Sequence, residues 1–379
     1  MKHLFVTNDF PPKTGGIESY LTALCEGFDP AAVTVIAPSR EGHEAIDRGL
    51  PYTVVRAPGS YLRASRAVRQ LVERVSLERD PDAIHFLQAL PLGRLAKPVK
   101  DATRLPTTVV AHGSGDVLVP NRMPFVRRSL RNVLTDADVV FAVSAYTARA
   151  VDRISKGRTN IAILEPAVDV DRFSLDVSGS EVRERHGLGS RFVVLFVSRL
   201  VKRKGADTLV RAMQPLKDAV AVVVGTGPEE GSLKRAVLEL ELDDKVVFAG
   251  FVPDEQLPAY YAAADVFCMP CSDRFGGLET EGFGIVYTEA AAAGLPSVAG
   301  VCGGSVEAVR DGETGIVLRD PSPVDVAKAL KRLQTDEALR IQMGAAARAF
   351  ALSLRPERQA VKLEEALIPI VDAAAAVTD

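Results

Sequence analysis

Two carboxylates bracket a glycine turn in the stretch Gly276-Gly-Leu-Glu-Thr-Glu281-Gly-Phe-Gly-Ile-Val-Tyr-Thr-Glu289. Gly282 and Gly284 carry no Cβ, so the backbone there can come close to a ligand. The spacing predicts a helix over Ile285–Gly294. The N–H groups of Phe283, Gly284, Ile285 and Val286 then have no acceptor inside it, which suits an anion such as phosphate. Glu281 precedes the helix and Glu289 lies about a turn into it, so the two cannot act on one atom. They can reach opposite ends of one elongated ligand, and a nucleotide sugar (hexose, diphosphate, ribose, base) has that shape. A capped surface helix with solvated glutamates is the competing reading. It accounts for one glutamate but not for the whole constellation.

Three other stretches offer polar chemistry after apolar runs. Ser198-Arg199-Leu-Val-Lys202-Arg203-Lys204-Gly205 is either a solvated basic turn or a clamp that stabilises a departing diphosphate. Asn8-Asp9-Phe-Pro-Pro-Lys-Thr-Gly15-Gly16 is either a common turn or a close approach to a diphosphate or sugar. His112-Gly-Ser114-Gly-Asp116 sets a histidine between a strand and glycines. A lone histidine is more often structural, but in that setting it is a credible substrate contact.

Some motifs are weaker than they look. Val224-Gly225-Thr-Gly227-Pro-Glu-Glu-Gly231 resembles a dinucleotide fingerprint, but its spacing is one residue too long and it does not open the chain. Asp169-Val-Asp171 has metal-binding spacing, yet it lies in a connection where aspartates commonly cap turns. No required metal or other cofactor is expected. Cys268-Met-Pro-Cys271 ends an apolar strand and lacks the second pair of a zinc site, so chance spacing is favoured over redox or metal chemistry.

These stretches need a scaffold that presents loops. Apolar runs at Leu4–Thr7, Val33–Ala37, Ala83–Leu87, Thr107–Ala111 and Val139–Val143 read as strands. Helical spacing separates them over Gly16–Phe28, Leu62–Arg79, Leu92–Thr103 and Pro124–Thr135. The alternation breaks at Pro166–Phe173 and restarts with strands at Phe192–Val197, Val220–Val224, Val246–Ala249, Val266–Met269, Ser297–Ala299 and Ile316–Leu318. Such alternation predicts α/β architecture with parallel sheets covered by helices on both faces. Two doubly wound, Rossmann-like domains of similar size, facing across a cleft, are the economical arrangement. The boundaries fall at 1–168, completed by a C-terminal helix over 356–379, and 169–355. Ligands of open parallel sheets bind beyond the carboxyl ends of the strands.

Bulk properties agree. In 379 residues, 47% hydrophobic and 25% charged, there is ample material for two cores. A formal net charge of −3 gives no nucleic-acid signature. The chain opens directly into a strand and contains no apolar run of membrane-spanning length, so a cytoplasmic protein without a signal peptide is expected. Four cysteines fit a reducing compartment.

Taken together, these residues resemble retaining nucleotide-sugar glycosyltransferases of family 4, which have the two-domain GT-B fold. The resemblance covers nearly the whole chain: Asp9-Phe-Pro-Pro with Gly15-Gly16-Ile, His112-Gly, Pro166-Ala-Val-Asp with Arg172-Phe173, Ser198-Arg-Leu-Val with Arg203-Lys204-Gly205, and Glu281-Gly-Phe-Gly-Ile-Val-Tyr with Glu289. Within the family the chain is similar to actinobacterial mannosyltransferases that build phosphatidylinositol mannosides from GDP-mannose. That likeness implies roles. Arg199 and Lys204 hold the diphosphate and stabilise it as it leaves. Glu281 contacts the hexose near the reacting centre, and Glu289 the ribose. Gly282, Phe283, Gly284, Ile285 and Val286 meet phosphate or sugar through the backbone, as does Gly16. His112 contacts the sugar and its developing positive charge. Asp9, Gly15, Ser114 and Asp116 fall on the acceptor side. No carboxylate nucleophile stands out in the first half, so retention implies front-face attack. Relatives often continue His-Gly-His-Glu where this chain has His112-Gly-Ser-Gly-Asp116, a departure that bears on the acceptor rather than on the reaction.

Asn121–Leu134 adds a basic amphipathic pattern, with Arg122, Arg127, Arg128 and Arg131 among Met123, Phe125, Val126 and Leu130. It reads either as a core-facing helix with a solvated arginine face or as a helix lying on anionic lipid, which would make the protein peripheral on the inner face of the plasma membrane. Three function classes follow: a retaining hexosyltransferase using GDP-mannose or another nucleotide sugar, a different enzyme on this fold such as a nucleotide-sugar epimerase, and a non-catalytic nucleotide-binding or lipid-surface protein. Turnover of donor with and without acceptor separates them.

Overall fold

The computed structural model describes residues 1–376. Two compact units divide the chain: residues 1–167 with the stretch from Arg355 onward, and residues 168–354.

The first unit is built on seven parallel strands: β1 (His3–Val6), β2 (Val33–Pro38), β3 (Thr53–Ala57), β4 (Ala83–Phe86), β5 (Thr107–Ala111), β6 (Val139–Ala142) and β7 (Ile161–Ile163), in the order β3-β2-β1-β4-β5-β6-β7. Inner strands such as β6, Val-Val-Phe-Ala, are buried throughout, as a sheet covered on both faces requires. Each strand is short, and a fully buried Val, Leu or Phe contributes roughly 1.5–3 kcal/mol, so the covering helices are what hold the sheet. Helix Arg66–Arg79 starts where the Ser65 hydroxyl accepts from Val68 N at 3.3 Å and stops at Asp80, in the left-handed region. Helix Pro124–Asp136 begins on a proline and buries Leu130, Val133 and Leu134 on one face. The half-buried edge strands β3 and β7 and the helix Ala145–Ser155 are not marked by the apolar pattern alone.

The C-terminal helix Pro356–Ala375 returns to this first unit and packs on helix Gly16–Glu26. Contact is so close that a Cβ on Gly27 would lie 2.2 Å from the Pro356 carbonyl oxygen. Glu364 on this helix receives the N-terminal ammonium at 3.0 Å and the buried His3 ring at 3.2 Å.

In the second unit six parallel strands run in the order β10-β9-β8-β11-β12-β13: β8 (Phe192–Val197), β9 (Ala219–Val224), β10 (Val246–Gly250), β11 (Val266–Met269), β12 (Ser297–Gly300) and β13 (Gly315–Leu318). Strand order reverses between β1 and β4 in one sheet and between β8 and β11 in the other. Loops leaving two such strands diverge and open a crevice. In the second unit those loops are Ser198–Gly205 and the long stretch from Pro270 to Gly284, the two stretches singled out for chemistry.

Candidate active site

The loop after β8 ends in a tight helical turn over Lys202–Lys204, closed by Gly205 at φ +77°. Only glycine fits there, because a Cβ would sit 2.2 Å from the Pro270 carbonyl oxygen. Ser272 N donates to Arg203 O at 2.9 Å and clips this loop to the one leaving β11. The result is an ion-paired cluster. Lys204 Nζ lies 2.8 Å from Glu281 Oε1, and Arg203 Nη1 pairs with the same oxygen. Burial, helped by the Arg203 charge, pushes the Lys204 ammonium down to about 7. Gly303 supports Glu281 from behind; a Cβ there would lie 2.3 Å from Glu281 O.

Helix Ile285–Ala292 begins at Gly284, φ +98°, with no side-chain cap. A Cβ at Gly284 would strike the Tyr287 ring at 2.7 Å. Tyr287 itself is buried and donates to Met269 O at the end of β11, which fixes the helix start over the crevice. Among the described residues, no acceptor takes the N–H groups of Phe283, Gly284, Ile285 or Val286. Arg199, also in the loop after β8, is exposed, and its charge reaches both Arg203 and Lys204. Cations, one carboxylate and a set of open N–H groups thus share one edge of the sheet. Chemically that arrangement can hold a diphosphate and stabilise charge as it develops there.

Glu289 has separate surroundings. Its Oε2 accepts from Tyr261 Oη at 2.7 Å, and the Tyr261 ring meets Phe173 edge-on with centroids 5.4 Å apart. Arg172 covers Phe173 and pairs with Asp254 at 2.9 Å. Burial pushes the Glu289 carboxyl up to about 7, against the Tyr261 bond that favours the carboxylate. The two glutamates therefore sit in one motif with different partners.

Sequence reasoning gave the diphosphate to Arg199 and Lys204; it did not single out Arg203, nor the pairing of Glu281 with both neighbours. Arg203 stands in the same motif, but which cation of a tight turn faces inward depends on the turn. Gly225 and Gly227, the fingerprint-like glycines, let the loop after β9 press on the loop after β8: Cβ atoms there would lie 2.0 Å from Ser198 O and 2.4 Å from Leu200 O. Asp169 caps its own turn, accepting from Asp171 N at 3.1 Å and Arg172 N at 2.8 Å. Cys268 and Cys271 are buried, Cys271 against the Tyr287 hydroxyl at 3.2 Å.

In the first unit, the loop after β1 is tied down by side chains. Asn8 exchanges hydrogen bonds with Leu62, 2.6 Å to its N and 3.0 Å to its O. Buried Asp9 pairs with Lys13 and accepts from Gln88, while Lys13 also reaches buried Glu18 at 2.7 Å. Two carboxylates thus share one ammonium beside Gly15 and Gly16, which open helix Gly16–Glu26. Arg40 donates to Asn8 O at 3.0 Å and brings a second cation to the same loop. His112 is held by its Nε2, which donates to Leu87 O at 2.7 Å, and by the Tyr20 ring against its edge. Asp116 turns back onto the loop: its oxygens take His112 N at 3.0 Å and Gly113 N at 2.9 Å. Sequence reasoning placed Asp116 and Ser114 on the acceptor side; in the structure the Asp116 oxygens accept from the two residues just before the short helical turn Ser114–Leu118, at whose start Ser114 lies.

Residues 14–172 match the family described as Glycosyltransferase Family 4, and residues 180–350 match Glycosyl transferases group 1. The GDP-mannose-dependent α-(1-6)-phosphatidylinositol monomannoside mannosyltransferase of Mycolicibacterium smegmatis is 40% identical over 359 residues, 92% of this chain and 93% of that protein. The chain belongs to glycosyltransferase family 4. A Corynebacterium glutamicum relative, named a GDP-mannose-dependent monoacylated α-(1-6)-phosphatidylinositol monomannoside mannosyltransferase, is 36% identical over 92% of each chain. Solved structures show the GT-B fold for this family 4 chain at much lower identity. HepE of Anabaena in complex with UDP superposes with a TM-score of 0.82 over 97% of this chain and 100% of that one, at 21% identity. Sucrose-phosphate synthase of Thermosynechococcus elongatus gives 0.78 over 98% and 100%, also at 21%.

Proposed function

We propose that this family 4 glycosyltransferase moves α-mannose from GDP-mannose, with retention, to a hydroxyl of a phosphatidylinositol-mannoside-like lipid. The observation that carries the donor half is the Arg203–Glu281–Lys204 cluster beside the open N–H groups of Phe283 to Val286. Relatives that share 36–40% of the sequence are named for GDP-mannose and for a phosphatidylinositol monomannoside, which supports the mannosyl donor and the lipid acceptor.

On this reading Arg199, Arg203 and Lys204 hold the diphosphate, and the helix N–H groups take its remaining oxygens. Together they favour departure of GDP, because their attraction grows as charge collects on the leaving oxygen. With the cations drawn to phosphate, Glu281 is released toward the hexose. Glu289 accepts from the ribose hydroxyls in place of Tyr261. His112 contacts the hexose, Gly16 meets the donor's phosphate or sugar through its backbone, and Asp9 and Gly15 serve acceptor hydroxyl groups. Asp116, with both oxygens on backbone N–H groups, is no nucleophile. That supports front-face attack: the acceptor oxygen bonds to the anomeric carbon as the phosphate oxygen leaves, and the acceptor proton passes to that phosphate oxygen. No divalent ion is needed where cations and helix N–H groups already supply the positive charge.

Among the described residues no helix is long and apolar enough to cross a membrane. A lipid acceptor and a soluble donor support the reading of a peripheral enzyme on the inner face of the plasma membrane. The test is transfer of radiolabelled mannose from GDP-mannose to a phosphatidylinositol mannoside, run beside a thermal-shift panel of GDP, UDP and ADP sugars. Stabilisation by UDP-glucose alone, or donor consumption unchanged when acceptor is omitted, would sink the proposal.

A further inference from the structure

Behind Glu281 the chain leaving β11 touches the end of β12. A Cβ on Gly300 would lie 1.9 Å from Cys271 O, so no side chain fits between them. Cys271 and Cys302 stand on either side of this contact, and both are fully buried. Cys271 Sγ lies 3.5 Å from Gly300 O, a carbonyl that also accepts from Ser305 Oγ at 2.8 Å. Ser305 Oγ in turn accepts from Cys302 N at 3.0 Å. The two thiols meet in a hydrogen bond, and each acts on the other more strongly than any other side chain does.

Their surroundings make the two thiols unlike. The bond from Cys302 and the nearby Lys204 charge hold Cys271 below the usual thiol range, although burial opposes them. Donation to Cys271, together with burial, keeps Cys302 protonated. A thiolate beside a thiol is what disulfide formation needs. Cys268, the partner that sequence spacing suggests for Cys271, lies inside β11, where burial keeps it protonated. Both members of the pair adjoin solvent along the chain, at half-buried Ser272 and exposed Val301.

Cys302 is also tied to the site through the backbone. The next residue, Gly303, is packed so that a Cβ would lie 2.2 Å from Thr280 Oγ1, and Gly304 N donates to Glu281 O at 2.9 Å. Glu281 in turn opens the glycine turn at Gly282–Gly284. Displacement at Cys302 therefore reaches that turn directly.

We propose that Cys271 and Cys302 are an oxidation site, at which hydrogen peroxide closes a disulfide that deforms the crevice behind Glu281. The Cys271 thiolate attacks one peroxide oxygen, the O–O bond breaks, and with one proton taken up the products are a sulfenic acid and water. The Cys302 sulfur then attacks the sulfenic sulfur and the S–O bond breaks. The departing hydroxide takes the Cys302 proton and leaves as water, so two electrons have passed from the sulfurs to the peroxide. A covalent bond between sulfurs is far shorter than a hydrogen-bonded contact, so closing it draws the two loops together. Cys271 is held by β11 and by the Tyr287 hydroxyl at 3.2 Å, so the stretch Val301–Gly304 gives way and carries Glu281 with it. The consequence for the donor rests on the reading that these loops bind a diphosphate.

The test is treatment of the full chain with hydrogen peroxide, followed by intact mass, non-reducing peptide mapping and titration with GDP. Loss of two hydrogens and a Cys271–Cys302 link are expected, both reversed by dithiothreitol. GDP affinity should fall at least roughly tenfold, about the worth of one hydrogen bond to a charged group. Loss of the Cys271 charge alone would favour an anion, so weaker binding reports the deformation. Cys302→Ser should bind GDP as the untreated protein does and keep that affinity in peroxide, with dimedone trapping the Cys271 sulfenic acid. Cys302→Ala serves if the serine variant does not fold. A link to Cys268 instead, no loss of two hydrogens, or a disulfide form that binds GDP as tightly as the reduced one would overturn the proposal. Failure of the reduced protein to bind GDP would count against the donor reading, while mass and peptide map still decide whether the disulfide closes.

Discussion

Lys204 Nζ and Glu281 Oε1 lie 2.8 Å apart, so the motif after β8 and the glycine turn before helix Ile285–Ala292 meet in one ion pair. The two are far apart in sequence, and the pair joins loops that leave the strands on either side of the reversal in strand order. Arg203 shares the same oxygen. On the proposed reading an arriving diphosphate competes with Glu281 for two cations, which would couple donor binding to release of a carboxylate near the hexose.

Arg199 and Lys204 should separate binding from stability. Arg199 is exposed, so Arg199→Ala should change stability by no more than about 0.5 kcal/mol. It should weaken donor binding roughly ten- to a hundredfold, the worth of one hydrogen bond to a charged group. Lys204→Ala leaves Glu281 still paired with Arg203, so the chain should fold while turnover falls by roughly 10²–10³. Isothermal titration with GDP and steady-state kinetics measure both; unchanged turnover in the double variant removes the clamp.

The two glutamates should give different kinetic signatures. Glu281→Gln removes a negative charge from the two cations, so donor affinity should hold or improve while kcat drops roughly a hundredfold or more. Loss of donor affinity with kcat intact would make Glu281 a binding residue instead.

Glu289 should reveal itself through pH. Its carboxyl is pushed up to about 7 by burial, and a ribose diol donates best to the ionised form. Ionisation of Glu289 should therefore favour donor binding from pH 6 to pH 8, opposed by loss of the Lys204 charge, itself pushed down to about 7. The quantity that isolates Glu289 is the ratio of donor affinities, unaltered protein over Glu289→Gln, which should rise over that range. A flat ratio would place the titration on another group.

Much of this architecture is legible in the sequence because parallel strands buried on both faces are continuous apolar runs: Thr107–Ala111, Phe192–Val197 and Val266–Met269 have the same ends in pattern and structure. Edge strands are different. Ile161–Ile163 is short and half-buried, so its signal is too weak to separate from a loop. Site chemistry is legible where the backbone dictates the residue, as at Gly284, where φ and the Tyr287 ring both exclude a side chain. It is less legible where identity is permissive. Arg199, Arg203 and Lys204 are three neighbouring cations whose directions are set by the turn at Lys202–Lys204 and by contact with Pro270. Asp116 reads as an acceptor contact in sequence, where nothing shows that the chain also folds back to offer it two N–H groups.

Activity should persist in EDTA. On the proposed reading three cations and the open helix N–H groups supply the charge that a divalent ion would otherwise give the leaving diphosphate. Transfer abolished by chelation and restored by Mg²⁺ or Mn²⁺ would return Asp169 and Asp171 to the site, although Asp169 now caps a turn.

The first unit should lose stability on mild acidification, through a histidine pair unrelated to the chemistry. His3 on β1 and His85 on β4 are buried, with His3 Nδ1 3.1 Å from His85 Nε2 and His85 Nδ1 2.8 Å from Thr108 Oγ1. Burial lowers the pKa of His3 and lowers that of His85 well below 6.5, while in the unfolded chain both sit near 6.5. Below about pH 6.5 the unfolded state thus binds more protons than the folded one, so stability falls as pH falls. The loss can reach about 1.4 kcal/mol per pH unit for each histidine until the folded rings also protonate. Glu364 adds to the loss only at lower pH: despite its burial, the N-terminal ammonium and His3 hold it below the usual carboxylate range, so its own contribution is lost as pH falls below about 4.5. Thermal midpoints measured from pH 8 to pH 5 should therefore stay level above 7 and drop below 6.5. Replacing His85 by Gln keeps a polar partner for Thr108 and removes one titrating ring, so it should flatten the drop even if it lowers the plateau. An unchanged slope in His85→Gln would assign the acid sensitivity to other groups.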